Sequence, residues 1–422
     1  MVDWSAVRDD FPIIKRTVRG KSIIYFDSAG MSLRPYPVMQ AMDGYYTAMS
    51  SCGGNRAAHA LALETNEACA EARSEVAQFI GARRDDEVIW TRNTTEALNL
   101  VSHAWPWRRE RGGNIVTTLL EHHSGVLPFW KAAKAHDLQL RVVETDSCGR
   151  MDIARFEDAI DDRTQMVSVV MASNFTGTYA PISEICKLAH RHGAAVIGDG
   201  AQYVPHRSTQ VGSLGLDFLA FSAHKMLGPS GMGVLWGKYD LLDRTLDTFM
   251  VGGDTVVDVE YRNGEIVPSF KPPPGKFEAG LQNYAGIIGT GAAVQYLKKL
   301  GMEQVERREQ ELKTALFDAM EKVPKLEVVG PPLSERANRG ALLTFKVPAS
   351  TFSDPKELVM YMDEVADVPV MMRTGGHCSH PFQYRYGLDP KKGTARVSLY
   401  IYNTPEECQL FAAELKEAFA AA

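Results

Sequence analysis

Net charge is the first thing this chain has little of. Its 46 Lys and Arg against 52 Asp and Glu leave −6 over 422 residues. A mildly acidic balance argues against nucleic acid as the main partner, because phosphate binding needs a concentrated basic face. Long apolar runs are missing too. No stretch reaches the roughly 18 residues of a membrane span, so no membrane partner is expected. The opening MVDWSAVRDDFPII has neither the basic nor the apolar region of a signal peptide. Cysteine is sparse: Cys52, Cys69, Cys148, Cys186, Cys378 and Cys408, with no CxxC pair. Scattered like this, they read as free thiols in a reducing cytoplasm. Internal repeats and low-complexity segments are also lacking. What is present is an ordinary globular composition, 45% hydrophobic and 23% charged, enough for two or three domains.

The chain opens with a short amphipathic helix and a basic linker, up to about residue 23. IIYFDSAG (Ile23 to Gly30) reads as a strand ending in a turn, and Pro35 and Pro37 break the chain before a helix. From Val88 the text becomes rhythmic. The strand candidates EVIWT, NIVTTLL, LRVVET, QMVSVVMAS, AAVIGD, FLAF and GVLWG alternate with helical stretches such as 124–136, 152–161 and 182–192. Such alternation predicts an α/β fold, a large doubly wound and mainly parallel sheet with helices on both faces. Residues 248–283, rich in Gly and Pro, read as a long functional loop or an arm reaching a second subunit. Helices at 284–300, 302–323, 354–366 and 404–421, with strands ALLTFKV and TARVSLYIY, make a smaller α+β domain on which the N-terminal helix packs. The expected division is a large domain over 24–290 and a small one from 1–23 and 291–422.

Ligands of doubly wound sheets sit beyond the carboxyl ends of the strands, so the residues just after each strand carry the chemistry. After FLAF the chain turns polar at Ser222, His224 and Lys225 and enters a Gly-rich turn. A lysine there must reach water, pair with an anion or be used covalently. The first makes it a surface lysine and the last a Schiff-base lysine. After EVIWT, Asn93-Thr94-Thr95 opens a helix, either as a plain cap with Thr94 or Thr95 as capping residue, or as a phosphate site. Asp199 ends AAVIG, with Gln202 close behind. A carboxylate in that position caps a turn or meets a strong donor such as a pyridinium nitrogen. His122 and His123 follow NIVTTLL and could stack on a ring or move a proton. Neighbours on an extended chain point opposite ways, and no third ligand stands at fitting spacing, so no metal is expected. Asn174 follows VSVVMAS. An anion cradle, ring stacker, amide, carboxylate and lysine together describe one ligand, pyridoxal 5′-phosphate.

MMRTGGHCSHP places Cys378 in a Gly/His-rich loop after a strand, where nearby cations favour the nucleophilic thiolate. An inert packing cysteine, or a partial metal site with His377 and His380, are the alternatives. Arg373 and Arg396 are candidates for bidentate capture of a carboxylate, with surface arginine as the default.

In order, DFP, YFDSAG, RNTTEALNLV, EHHSGVLPFW, SNFTGTYAPI, GDGAQYVPH, FSAHKMLGPSGMGVLWG, FEAG, RTGGHC and RVSLYIYNTPEE resemble the class-V aminotransferase group of fold-type I pyridoxal phosphate enzymes nearly end to end. Within that group the chain is most similar to group II cysteine desulfurases of the SufS and selenocysteine lyase type. The resemblance implies that Lys225 carries the cofactor, Asp199 pairs with its ring nitrogen, Gln202 bonds its ring oxygen and His122 stacks on it. Thr95, Ser222 and His224 would hold the phosphate, with Thr94 beside them. Asn174 falls at a cofactor or substrate contact, Arg396 at the substrate carboxylate, and Cys378, just after Arg373, at the persulfide-forming cysteine. Also implied are a homodimer, L-cysteine or selenocysteine as substrate, and a sulfur acceptor such as an iron–sulfur scaffold as partner. The alternatives are selenocysteine lyase, a related C–S lyase or epimerase on another amino acid, and a non-catalytic sulfur carrier. Three positions depart from the family pattern: Leu281 replaces the threonine of EAGTP, Asn55 the first histidine of HRGxH, and Gly376 the first histidine of GHHC.

Overall fold

Seven short apolar runs build the central sheet of the structure, a computed structural model that describes residues 2–54, 57–109 and 112–420. They are β1 (Val88–Thr91), β2 (Asn114–Thr118), β3 (Gln139–Val143), β4 (Thr164–Val170), β5 (Ala195–Asp199), β6 (Phe218–Ser222) and β7 (Gly233–Gly237). Their order across the sheet is β1-β7-β6-β5-β4-β2-β3. Only β7 runs against its neighbours, pairing antiparallel with both β1 and β6; the other pairs are parallel. Apart from the edge strand β3, every strand is buried along its whole length, which is why these runs read as continuously apolar rather than alternating. Gly233 opens β7 at a crossing where a Cβ would stand 2.5 Å from the Cα of Asn93. No side chain fits there.

The helical stretches fall close to where the pattern puts them, at His123–His136, Ile153–Ala159, Ile182–Arg191, Tyr284–Leu300, Met302–Met320, Pro355–Glu364 and Pro405–Ala420. Among the described residues, no helix is long and apolar enough to cross a membrane.

Two segments differ from the sequence expectation. Residues 248–283 are not one irregular loop. They carry a hairpin of β8 (Val256–Arg262) and β9 (Glu265–Phe270), turned at Asn263-Gly264 with both residues at positive φ. That is the two-residue turn an Asn-Gly pair favours. Val259 and Tyr261 pair with Pro268 and Ile266, so these four share one face of the ribbon, and that face is apolar. Val259, Tyr261 and Ile266 are all exposed. IIYFDSAG, for its part, gives only the two-residue strand Ile24–Tyr25, parallel to Val370–Met371. Past it a single bridge pairs Asp27 with Ser398, beside Arg373 and Arg396 of the second sheet.

A second sheet, of β10 (Glu327–Val329), β11 (Leu342–Lys346), β12 (Arg373–Gly375) and β13 (Thr394–Ser398), runs in the order β10-β11-β13-β12. Its core includes Leu316, Phe345, Leu358, Val397 and Phe411. TARVSLYIY stops being a strand at Ser398. The buried Tyr402 then packs its ring 4.8 Å from that of Phe11, and Arg8 pairs with Glu407 at 2.6 Å. The N-terminal segment also reaches helix Tyr284–Leu300, through Tyr296 Oη and Asp10 at 2.8 Å.

Candidate active site

The turns after β1, β2, β4, β5 and β6, together with β12 and β13 of the second sheet, enclose a cavity of about 300 Å³. Its wall brings together all twelve residues singled out in the sequence: Thr94, Thr95, His122, Asn174, Asp199, Gln202, Ser222, His224, Lys225, Arg373, Cys378 and Arg396.

At one end lies the helix Thr94–Ala104. Its cap is Asn93, whose side chain accepts from the Glu96 amide, so neither threonine is spent as a cap. Ser222 Oγ accepts the Thr94 amide at 2.8 Å and meets Thr94 Oγ1 at 2.6 Å. Thr95 Oγ1 meets Ser124 Oγ at 2.7 Å. Among the described residues, the Thr95 amide has no partner. A free N–H at a helix N-terminus beside four hydroxyls has the chemistry to hold an anion.

Asp199 stands buried at the end of β5. One carboxylate oxygen accepts the Ala201 amide at 3.0 Å, and burial raises its pKa. Lys225 follows β6, and among the described residues its amine has no hydrogen-bond partner. Burial pulls its pKa down to about 8, although the charge of Asp199 opposes the change. The amine is therefore far more often neutral near pH 7 than an ordinary lysine. His122 accepts the Ser124 amide at Nδ1, which places its proton on Nε2, and burial holds it uncharged with a pKa of about 4. Gln202 donates to the Ala29 carbonyl at 2.7 Å. His122 faces the cavity, whereas His123 turns to His380, with ring centroids 4.5 Å apart. Among the described residues, no group of three or more His, Cys, Asp or Glu is placed to hold a metal ion.

The opposite wall is cationic. Arg396 on β13 is buried; burial lowers its pKa to about 10, and its Nε has no partner among the described residues. Its Nη1 donates to the Asn174 carbonyl at 2.9 Å, and Nη2 lies 3.5 Å from Asp27. Arg373 already forms a bidentate pair with Asp27, at 2.9 and 2.7 Å. Asp27, Ser124 and the Ala29 carbonyl are the residues that sequence reasoning left unassigned. Asp27 and Ala29 both lie in YFDSAG and Ser124 in EHHSG. Cys378 is exposed on a short turn after β12, with its carbonyl bound by the His123 amide at 2.8 Å.

Of the three departures, Asn55 lies outside the described residues. Leu281 is 75% exposed and lines a separate cavity beside Glu278, which is itself tied to Arg73 at 2.8 and 2.9 Å. Gly376 lies in the Cys378 turn.

Comparison with known proteins gives a consistent result. Residues 24–411 match the profile of the family described as Aminotransferase class-V. A cysteine desulfurase of Synechococcus elongatus is 36% identical over 98% of the chain, which spans 63% of that protein's length. A probable cysteine desulfurase of Streptomyces coelicolor is 36% identical, covering 96% of this chain and 95% of its own. Among solved structures, the apo cysteine desulfurase of Thermococcus onnurineus superposes with a TM-score of 0.91 at 32% identity, covering 100% of this chain and 99% of its own.

Proposed function

The chain belongs to the aminotransferase class-V family, of fold-type I, and on that footing we propose that it is a pyridoxal 5′-phosphate-dependent cysteine desulfurase. The observation that carries this reading is the placement of a thiol, Cys378, in the same cavity as the amine of Lys225 and the guanidinium of Arg396. The cavity fits the cofactor. A buried carboxylate with one oxygen still unpartnered among the described residues suits a protonated ring nitrogen, an unpaired amine suits its aldehyde, and the Thr95 amide with the Ser222 hydroxyl suits its phosphate. Pyridoxal phosphate, when bound, supplies the electron sink that makes a substrate α-proton acidic and the C–S bond labile.

The residues of the chain then divide the work. Arg396, with its unpartnered Nε, binds the substrate carboxylate and fixes the amino acid in register. His122, neutral and planar, would stack on the ring. Asn174 holds the Arg396 side of the site through its carbonyl. Lys225 Nζ would take the α-proton and later return it. Cys378 as thiolate attacks the sulfur of L-cysteine: an S–S bond forms, the C–S bond breaks, and the carbon skeleton keeps that electron pair, takes up one proton at Cβ, regains one at Cα and leaves as alanine. The persulfide remains on an exposed turn, which suits transfer to an acceptor protein such as an iron–sulfur scaffold.

The apolar face of the β8–β9 hairpin supports a homodimer, since none of the described residues covers Val259, Tyr261 or Ile266. Six free cysteines suit a reducing cytoplasm. The second sheet and its own core suit a small domain from 1–23 and 291–422 beside a large one over 24–290.

The test is to mix the purified protein with L-cysteine and measure alanine and protein-bound sulfur, beside the Cys378→Ser variant. Both products are expected from the native protein, with bound sulfur lost in the variant and its cofactor absorbance unchanged. Bound sulfur persisting in Cys378→Ser would remove that residue from the mechanism. A cofactor-coloured protein releasing no alanine would move the substrate to selenocysteine or another amino acid.

A further inference from the structure

The nucleophile sits on a turn its backbone does not favour. His377 (φ 47°) and Cys378 (φ 56°) both lie in the left-handed region, which residues with a Cβ occupy only when their surroundings over-determine it. From within, Asn174 Nδ2 donates to the His377 carbonyl at 2.7 Å. Gln383 Nε2 and the Ser379 amide donate to the Gly376 carbonyl at 2.6 and 3.1 Å. The His123 amide holds the Cys378 carbonyl.

From outside, the turn meets the ring of His380. That ring stands edge-on to His123 and lies directly over Gly376, where a Cβ would be 2.4 Å from His380 Nε2 and 2.7 Å from Cδ2. Gly376 is not at positive φ, so its backbone would accept a side chain. The His380 ring, with the Pro390 carbonyl 3.0 Å away, is what excludes one.

We propose that His380 is the positioning residue of the Cys378 turn, its ring seated where a side chain at 376 would be and braced against His123. His380 does not line the cavity and touches none of the groups assigned to cofactor or substrate, so it acts only through the turn. Gly376 and His380 then form one unit, in which the bare α-carbon admits the ring and the ring stops the strained turn from relaxing. The same brace ties the nucleophile to the strand end that carries His122, keeping the thiol in line with a substrate held by Arg396. The inference rests on the reading of Cys378 as the sulfur acceptor.

The test compares the holoenzyme with its His380→Ala, His380→Phe, Gly376→Ala and Gly376→Ala/His380→Ala variants. Three quantities are read: hydrogen exchange of the 374–384 peptide, single-turnover sulfur transfer to Cys378, and exchange of the substrate α-proton in heavy water, a step that does not involve Cys378. His380→Ala and Gly376→Ala are each expected to speed amide exchange and to slow sulfur transfer by ~10- to 100-fold, the scale of an ångström's misplacement. The α-proton exchange should be unaltered. His380→Phe, which keeps a ring, should restore both the protection and the transfer. The double variant should be no worse than His380→Ala, because both substitutions remove the same contact. Unaltered exchange and transfer in His380→Ala, additive effects in the double variant, or no rescue by Phe would each overturn the proposal. Absence of alanine from the native protein would sink the desulfurase reading instead, while the amide-exchange comparison still decides the role of His380.

Discussion

Glu121 shows at the scale of one side chain what the site does to charge. It lies fully buried between β2 and β4, one oxygen accepting Thr118 Oγ1 and the Val170 amide, the other without a partner among the described residues. Burial raises its pKa from 4.5 to about 8. Between those values the unfolded chain has released the proton and the folded chain still holds it, so stability falls as pH rises. Through this group the native protein should lose about 2 kcal/mol between pH 6 and 7.5, at ~1.4 kcal/mol per pH unit. Glu121→Gln should flatten that slope, measured as urea unfolding midpoints across the range. An unflattened slope would mean the carboxyl is already ionised. Single residues were the most legible part of the sequence, because a polar group at the end of a continuously apolar run has few reasons to be there. Lys225, Asp199 and Asn174 announced themselves in this way. Asp27 did not, since its value lies in two arginines more than 300 positions away, and no local pattern marks that.

Whole elements were legible where burial dictated the pattern and less so where an edge or a partner did. β7 matches GVLWG end to end because it is buried along its whole length, and helix Tyr284–Leu300 matches 284–300 because its buried positions, from Ala285 to Leu297, are apolar or small while Gln295, Lys298 and Lys299 stay exposed. The β8–β9 hairpin was missed although Asn263-Gly264 is a strong turn signal, since the surrounding Gly and Pro suggested a loop. YFDSAG was over-read as a strand. It is a two-residue ladder feeding a functional turn, and Asp27 is its working part. Asp27→Ala should cost ~3 kcal/mol or more in urea denaturation, because it leaves the buried Arg396 charge without its carboxylate. A loss below ~1 kcal/mol, typical of an exposed pair, would show that the guanidinium is compensated elsewhere.

For the whole molecule, the break in rhythm over 248–283 pointed to a smaller α+β unit after it, whereas assembly was not legible, because one chain's pattern does not say what covers an exposed face. Val259→Lys combined with Tyr261→Lys should convert the proposed dimer to a monomer in sedimentation velocity, with the far-ultraviolet circular dichroism of the chain unchanged. An unaltered sedimentation coefficient would place the contact elsewhere. The reversed strand β7 has a consequence of another kind. Gly233 pairs at once with Thr91, just before the anion-binding turn, and with Ser222, just before Lys225. During synthesis on the ribosome, the reactive amine and the helix opening at Thr94 both emerge before the residue that aligns them. The two halves of the site therefore take their native spacing only once β7 has slotted between the strands that precede them.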